Sequence, residues 1–514
     1  MRAGRAVLTL ALLGAVAVGC AEGGGDGGDG FVIERKPIAA GCVPVGNAFP
    51  SGLALLGAGS NLASLAQFSP PSVQVLELER ERPRIVAVHD LGLDSDGDGR
   101  EDGPENMRVL GIPFAFPPTL GELAAPRDDL ALVSTSNYEQ VLLFDASRAE
   151  PREAVVETPA GFDPRDYPLL PAPGASGRRT GVSTLACIFP PPPGLDSEGD
   201  PVGIEPQCDD TEPAYFTRFT AGKALAAGRL FVATSNKGSG VRFRPGTVLV
   251  YTWSEAGGEI RVGPDPAEPV LFTRFFNPTG AARVVTAGGR ELVLVTTSGP
   301  IGAGTGAANV RGEAAVEVID PSVPRLAAVI PLGRAGPDFD GVAVDPGGRI
   351  AWLGASSQLQ LYAVDLRALD DPALYAGAGP PVELPGAAVF DADAPFALPD
   401  RRGGPDPRSC EGFTHAATNA AGSEVFVSDF CDGSFTRVRM DLALPAPIPW
   451  PADRFTVAAQ ATPFAPSDAV GLLRAPGMVR VRPGEPGIDY QGPDVLVPAG
   501  QPDAQLCALR LESE

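Results

Sequence analysis

Residues 94–105 carry the one run whose side-chain types and spacing form a metal-ligand set: Asp-Ser-Asp-Gly-Asp-Gly-Arg-Glu-Asp-Gly-Pro-Glu. Asp94, Asp96 and Asp98 alternate with small residues, which brings three hard carboxylate oxygens to one side of a tight turn. Gly99 permits the backbone to reverse, Arg100 offers its carbonyl, Asp102 acts directly or through a water, and Glu105 binds with both oxygens. Oxygen donors in that arrangement suit calcium, with the roughly 0.1–1 mM affinity of extracellular modules. Without a cation the same carboxylates repel one another, so the loop is expected to order on binding. The competing expectation is a solvated acidic turn held by Asx hydrogen bonds. The flanking runs RIVAVHDLGL and MRVLGIPFAF read as strands and Pro104 lies inside the loop, so a helix-loop-helix is not expected.

The rest of the chain is poor in catalytic constellations. Histidine occurs only as His89 and His415, too few for a three-histidine metal site, an H-E-x-x-H motif or a pair of histidine relays. No G-x-S-x-G elbow and no Walker-type phosphate loop occurs. His415 beside Asp406 or Glu411 could act as a general base, although a half-buried structural histidine is the commoner case. The glycine-rich residues 302–308 echo a dinucleotide fingerprint, but no parallel α/β unit surrounds them and they read as a hairpin loop. The prolines at 190–193 read as a rigid spacer.

Formal charge is -23, with 40 basic against 63 acidic residues, and lysine occurs only as Lys36, Lys223 and Lys237. Nucleic acid is set aside as a partner, because an acidic envelope repels phosphate. The 63 glycines and 55 prolines make about a quarter of 514 residues, yet 44% of the chain is hydrophobic. Together these imply many short elements joined by turns around a substantial core, hence an all-β chain. A single core rarely grows this large, so the chain needs several domains or a ring of small repeated cores.

The N-terminus resembles a bacterial lipoprotein leader. Arg2 and Arg5 form a basic region, residues 7–18 an apolar run too short to span a membrane, and Val16-Ala17-Val18-Gly19-Cys20 a lipobox with Ala17 where Leu is commoner. The resemblance implies a signal peptide over 1–19, cleavage before Cys20 and lipid on that cysteine; the alternative is an ordinary secretory peptide cut nearby. Residues 20–30 then form a flexible Gly/Asp tether to a domain over 31–514. Ala21 after the cysteine favours the outer membrane, within a bacterial cell envelope. Six further cysteines remain: Cys42, Cys187, Cys208, Cys410, Cys431 and Cys507. An even number in an exported chain points to disulfides, and six thiols allow fifteen pairings. Local spacing favours Cys187 with Cys208, Cys410 with Cys431, and Cys42 with Cys507 across the domain ends. No C-x-x-C occurs, so a zinc ribbon or thioredoxin-like redox pair is not expected.

One phrase recurs along the chain: a short apolar strand, a small polar turn, then an alternating strand ending in an acidic or polar residue. It begins at residues 53, 129, 228, 291, 348, 423 and, more weakly, 493. In the copy at 228–254, Val248, Val250 and Thr252 alternate with Leu249, Tyr251 and Trp253. A further strand precedes some copies, as in FDGVAVDPGG (339–348) and GFTHAATNAAG (412–422). Antiparallel four-stranded units repeated about a ring make a propeller. Seven blades are expected, six or eight also fitting, with long insertions near 94–128 and 148–218 and with residues 31–35 (Phe-Val-Ile-Glu-Arg) closing the ring as the outer strand of the last blade.

At VSTSNYEQVLLFD (133–145), VATSNKGSGVRF (232–243) and GVAVDPGGRIAWLGASSQLQLYAVDL (341–366) the chain resembles the YVTN-type and NHL-type propellers of bacterial surface and periplasmic proteins. About half of the chain is covered. Asn61, Asn137 and Asn236 occupy the matching turn, where Asn caps its own backbone. The expected function is a membrane-anchored binding or scaffold module for a protein or glycan ligand, with a calcium-stabilised loop and no catalytic or cofactor-binding residues. The rival expectation is a metal-dependent hydrolase resembling the propeller lactonases, with an ion held by residues such as Asp338, Asp340 and Glu411.

Overall fold

The computed structural model describes residues 38–44, 50–56, 62–68, 71–78, 83–90, 120–127, 129–135, 140–148, 150–157, 178–179, 181–183, 194–195, 201–202, 216–238, 243–299, 314–333, 342–345, 347–355, 360–377, 379–389, 396–397, 414–418, 424–429, 435–440, 455–461, 480–481, 495–499 and 505–510. Within them the chain is almost all strand, apart from short 3-10 turns such as Leu366–Asp370 and Pro372–Tyr375.

Among the described residues the strands form seven sheets. The first is a meander of Pro50–Leu56, Leu62–Phe68, Pro71–Leu78 and Pro83–Asp90. The second comprises Leu120–Arg127, Leu130–Thr135 and Gln140–Asp145, with Gly181–Ser183 returning to its outer edge. In the third, Phe216–Ala226, Arg229–Gly238 and the long Phe243–Ala256 are followed by two strands that share the outer edge, Glu259–Pro264 and Val270–Phe276. The fourth is Pro278–Val285, Glu291–Thr297, Ala314–Asp320 and Arg325–Gly333, and the fifth Ala343–Val344, Ile350–Ala355, Gln360–Asp365 and Phe396–Ala397. The sixth is Thr414–Thr418, Glu424–Asp429, Phe435–Met440 and Phe455–Ala461. The seventh joins Arg480–Val481, Val495–Ala499 and Gln505–Arg510 to Ile38–Pro44 from the other end of the chain.

The succession of sheets closes on itself. The first strand of sheet one lies beside that of sheet two, two beside three, three beside four, five beside six, six beside seven, and seven beside one. Sheets four and five share a core. That arrangement is a β-propeller, and it answers the size problem by making each core the seam between two sheets. In Leu130–Thr135, Ala131 and Val133 face sheet one while Leu130 and Leu132 face sheet three. The period-2 alternation of a strand thus fills two seams at once, and the run reads as continuously apolar because both faces are buried. Phe231 and Ala233 likewise face sheet four while Leu230 and Val232 face sheet two. The alternation expected at Val248 and Val250 against Leu249, Tyr251 and Trp253 is present, split between those same two seams. Gly222, on the first strand of sheet three, shows how closely the first strands approach: a Cβ there would sit 1.9 Å from the backbone nitrogen of Ala281 on sheet four.

Four sequence expectations shift. The ring-closing strand is Ile38–Pro44 rather than residues 31–35, which lie outside the described residues. The run Glu34-Arg35-Lys36 is charged, whereas residues 38–43 are uncharged and suit an edge against Gln505–Arg510. Asn236 is not in a turn: it pairs with Arg218 and Arg244 inside Arg229–Gly238, because both neighbouring strands continue past a bulge after Thr234. Asn61 and Asn137 lie outside the described residues. The copy at 53–80 spans three strands, since its LALL run is a first strand and the recurring pair is Leu62–Phe68 with Pro71–Leu78. Finally, the stretches expected as insertions supply strands of their own: Leu120–Arg127 opens sheet two, Gly181–Ser183 edges it, and Ala154–Val156 adds a parallel strand to Glu259–Pro264 of sheet three.

Candidate functional site

Antiparallel meanders sort their connections. Those from first to second and from third to fourth strand fall at one end of the ring, here called the turn end. Those from second to third strand, and from sheet to sheet, fall at the other, the loop end. A polar cavity of about 390 Å³ sits at the turn end, lined by Ala227, Gly288, Gly289, Arg290, Glu291, Asp320, Pro321, Ser322 and Asp370. Ala227 comes from the first hairpin of sheet three, residues 288–291 from the first hairpin of sheet four, residues 320–322 from its last turn, and Asp370 from the 3-10 turn after the third strand of sheet five.

Each acidic residue in this wall is first a turn-builder. Asp320 ends its strand and its Oδ1 accepts the Ser322 N–H at 3.0 Å and the Ser322 hydroxyl at 2.6 Å. Asp145 does the same for Ser147 at the equivalent position of sheet two, and Asp365 accepts the Arg367 N–H in sheet five. This Asx turn is the physical content of the acidic residue that closes the repeated phrase. Burial pushes the Asp145 carboxyl up, but hydrogen bonds from Ser147 and Arg148 outweigh it and hold the group below the usual carboxylate range. Asp370 ties sheet five to sheet four by accepting from the Thr286 hydroxyl and, at 3.0 Å, from the Gly288 N–H. Glu291 caps the neighbouring hairpin, accepting the Ala227 N–H at 3.1 Å and pairing with Arg283.

Arg290 differs from these neighbours. Its guanidinium lies 3.9 Å over the Tyr375 ring, and its Nε is buried without a hydrogen-bond acceptor. Among the described residues it has no carboxylate within ion-pair distance, whereas Arg229 is bound to Asp265 and Arg367 to Asp365. Stacking on an aromatic face holds the planar fork and leaves its outer N–H groups for another acceptor. Tyr375 donates its own hydroxyl to the Leu369 carbonyl at 3.0 Å, and burial pushes the phenol up to about 12, so it remains neutral. The cavity therefore offers guanidinium donors from Arg290 and acceptor capacity at the second oxygen of Asp320.

A second buried ionisable group lies in the seam between sheets three and four. Glu317 is fully buried; its two oxygens each accept a backbone N–H at 2.8 Å, from Arg274 and Phe275 at the end of Val270–Phe276. Burial dominates these donors and raises its carboxyl to about 8. The Arg274 guanidinium is itself paired with Glu383. Glu317 joins the outer strand of one sheet to the third strand of the next.

The calcium loop residues Asp94, Asp96, Asp98, Arg100, Asp102 and Glu105 lie outside the described residues, as do Cys20, Cys187, Cys208, Cys410, Cys431, Asp338, Asp340, Asp406 and Glu411. The strand expected before that loop is present as Pro83–Asp90; residues 107–116, the strand expected after it, lie outside. Among the described residues no group of three or more His, Cys, Asp or Glu side chains is placed to hold a metal ion. His89 is half-buried, edge-on to Phe144 with ring centroids 5.7 Å apart, which is a packing role. His415 sits on the first strand of sheet six opposite Ser428. Cys42 and Cys507 are the two cysteines that the described strands bring together. The Arg290 cavity was not anticipated from sequence; its one local signal was the Asp-Pro-Ser turn at 320–322.

No protein-family model matches the chain, and no curated protein matches it. Among solved structures it is similar to hydrazine synthase of Kuenenia stuttgartiensis, at 10% identity and a TM-score of 0.48 over 92% of this chain and 98% of that one. It is also similar to the β-propeller domain of Cps50 (Swd1) from Myceliophteria thermophila, at 12% identity and a TM-score of 0.42 over 93% of this chain and all of that one.

Proposed function

We propose that the chain is an exported seven-bladed propeller, held at the outer membrane by lipid on Cys20, that works as a recognition module rather than an enzyme. In this reading the Arg290 cavity receives a hydroxyl-rich ligand, a glycan. The observation that carries it is Arg290 itself: a guanidinium fixed on Tyr375, lining a cavity and, among the described residues, lacking a carboxylate partner. Vicinal hydroxyls present an acceptor and a donor within a short span, which matches Arg290 and Asp320 on one cavity wall. Residues 94–105 hold a calcium ion that orders the segment between sheets one and two.

The test is equilibrium binding of chitooligosaccharides, a neutral gluco-oligosaccharide and an acidic uronate oligosaccharide to the full chain, compared with Arg290→Ala. The reading predicts saturable binding of at least one probe, weakened roughly tenfold or more by Arg290→Ala at unchanged melting temperature. Binding that ignores the substitution, or none at all, rejects the glycan reading. Lipidation is tested separately by labelling cells with a radiolabelled fatty acid: wild type takes up label and Cys20→Ala does not.

A further inference from the structure

We infer that Cys42 and Cys507 form a disulfide that closes the ring covalently. The seventh sheet is the one assembled from both ends of the chain, and its outer strand Ile38–Pro44 pairs, among the described residues, with Gln505–Arg510 alone. Its antiparallel register sets Cys42 directly opposite Cys507. Directly opposed residues in such a pair share a sheet face, with Cα atoms about 4.5 or 5.5 Å apart. Both spacings fall inside the roughly 4.4–6.8 Å that a disulfide spans.

A bulge sets this alignment. Ile38 and Ala39 pair with Arg510 and Leu509, Ala40 is passed over, and Gly41 resumes opposite Ala508. Had the offset at Ile38 continued, Cys42 would face Leu506 and Cys507 would face Gly41. A one-residue slip moves a side chain to the other face, so passing over Ala40 in the bulge is what keeps the two cysteines in register. The bond forms by thiol–disulfide exchange. A thiolate from one cysteine attacks a disulfide oxidant, glutathione disulfide or a disulfide-bearing oxidoreductase, and one oxidant thiol leaves. The second cysteine's thiolate then displaces the other oxidant thiol. Two protons and two electrons leave the pair, and the oxidant disulfide becomes two thiols. The closed loop spans nearly the entire chain, which gives this bond the largest effect on the unfolded ensemble of the three pairings suggested by sequence.

The inference rests on the ring closure and not on export or on the glycan. The test is a non-reducing peptide map of the full chain refolded from denaturant with reduced and oxidised glutathione, with free thiols alkylated first. The expected result is a cross-linked pair of peptides containing Cys42 and Cys507, and a melting temperature roughly 5 °C lower once reductant is added. Deletion of Ala40 removes only the passed-over residue and keeps Cys42 opposite Cys507, so the cross-link should persist in that variant, whereas Cys507→Ser should leave Cys42 alkylated. Alkylated Cys42 and Cys507 in the folded wild-type chain, or either one linked elsewhere, would overturn the inference. A cross-link formed on refolding but absent from protein isolated from cells would leave this inference standing and contradict export.

Discussion

The two ends of the ring are built from the same strands and differ in their connections. At the turn end several joints are short and self-capped, as at Ala227-Gly228 and Gly257-Gly258 with positive φ, Thr286 to Arg290 around Gly289, and the Asx turns of Asp145 and Asp320, while residues 366–395 and 441–454 make long joints at the same end. At the loop end, segments 91–119, 300–313, 334–341 and 398–413 make long joints, while residues 69–70 within sheet one and Asn277 between sheets three and four make short ones. Each end thus combines tight joints that fix the frame with others long enough to carry extra chain. The Arg290 cavity is lined mainly from tight joints, with Asp370 supplied by the long 366–395 joint, and the proposed calcium loop lies in the long 91–119 joint.

The seams underlie both ends, so the largest expected effect comes from breaking one. Phe231→Ala empties the seam between sheets three and four and should cost about 3–5 kcal/mol in denaturant unfolding. If the two ends are coupled through the seams, probes at either end lose structure at the same denaturant concentration; separate transitions would break the comparison.

Glu317 sharpens it through pH. Its carboxyl is raised to about 8 in the folded chain from an ordinary value near 4.5. Between those values the folded state binds the extra proton, so stability is greatest below the lower value and declines as pH rises toward 8. The loss is on the order of 3 kcal/mol by pH 7. Unfolding of Glu317→Gln followed from pH 4 to 9 should lack this component of the slope; a profile parallel to wild type would contradict the burial argument.

The loop end should respond to calcium and the turn end should not. With about 10 mM calcium and an affinity of roughly 0.1–1 mM, binding stabilises by about 1.5–2.5 kcal/mol. Thermal unfolding should show that gain in wild type and lose it in Asp96→Ala and Asp98→Ala, with calcium-free stability unchanged. The smallest expected effect is at a single turn: Asp320→Ala removes the Asx bonds to Ser322 and should cost about 1 kcal/mol by the same measurement.

Sequence carried the fold further than the site. Second and third strands such as Leu130–Thr135 were legible because burial on both faces leaves an unbroken apolar run. First strands were harder to see. Pro278–Val285 is rich in small residues because close approach to the neighbouring first strand, seen at Gly222 and Ala281, excludes bulk. Gly181–Ser183 is too short to carry a pattern. That the chain ends bring Cys42 opposite Cys507 was legible, although the ring-closing strand was expected at residues 31–35. The cavity was not legible, since Arg290, Asp320 and Asp370 reach it from separate connections, each with ordinary turn composition.

The chain is one closed ring, completed by Ile38–Pro44. Hydrogen–deuterium exchange of the full chain, read by mass spectrometry, tests it most directly. Peptides covering Ile38–Pro44 and Gln505–Arg510 should be protected together, as strongly as Arg229–Gly238, and deleting residues 38–44 should expose Gln505–Arg510. Exchange of residues 38–44 as fast as that of residues 21–30, with Gln505–Arg510 unaffected by the deletion, would contradict it.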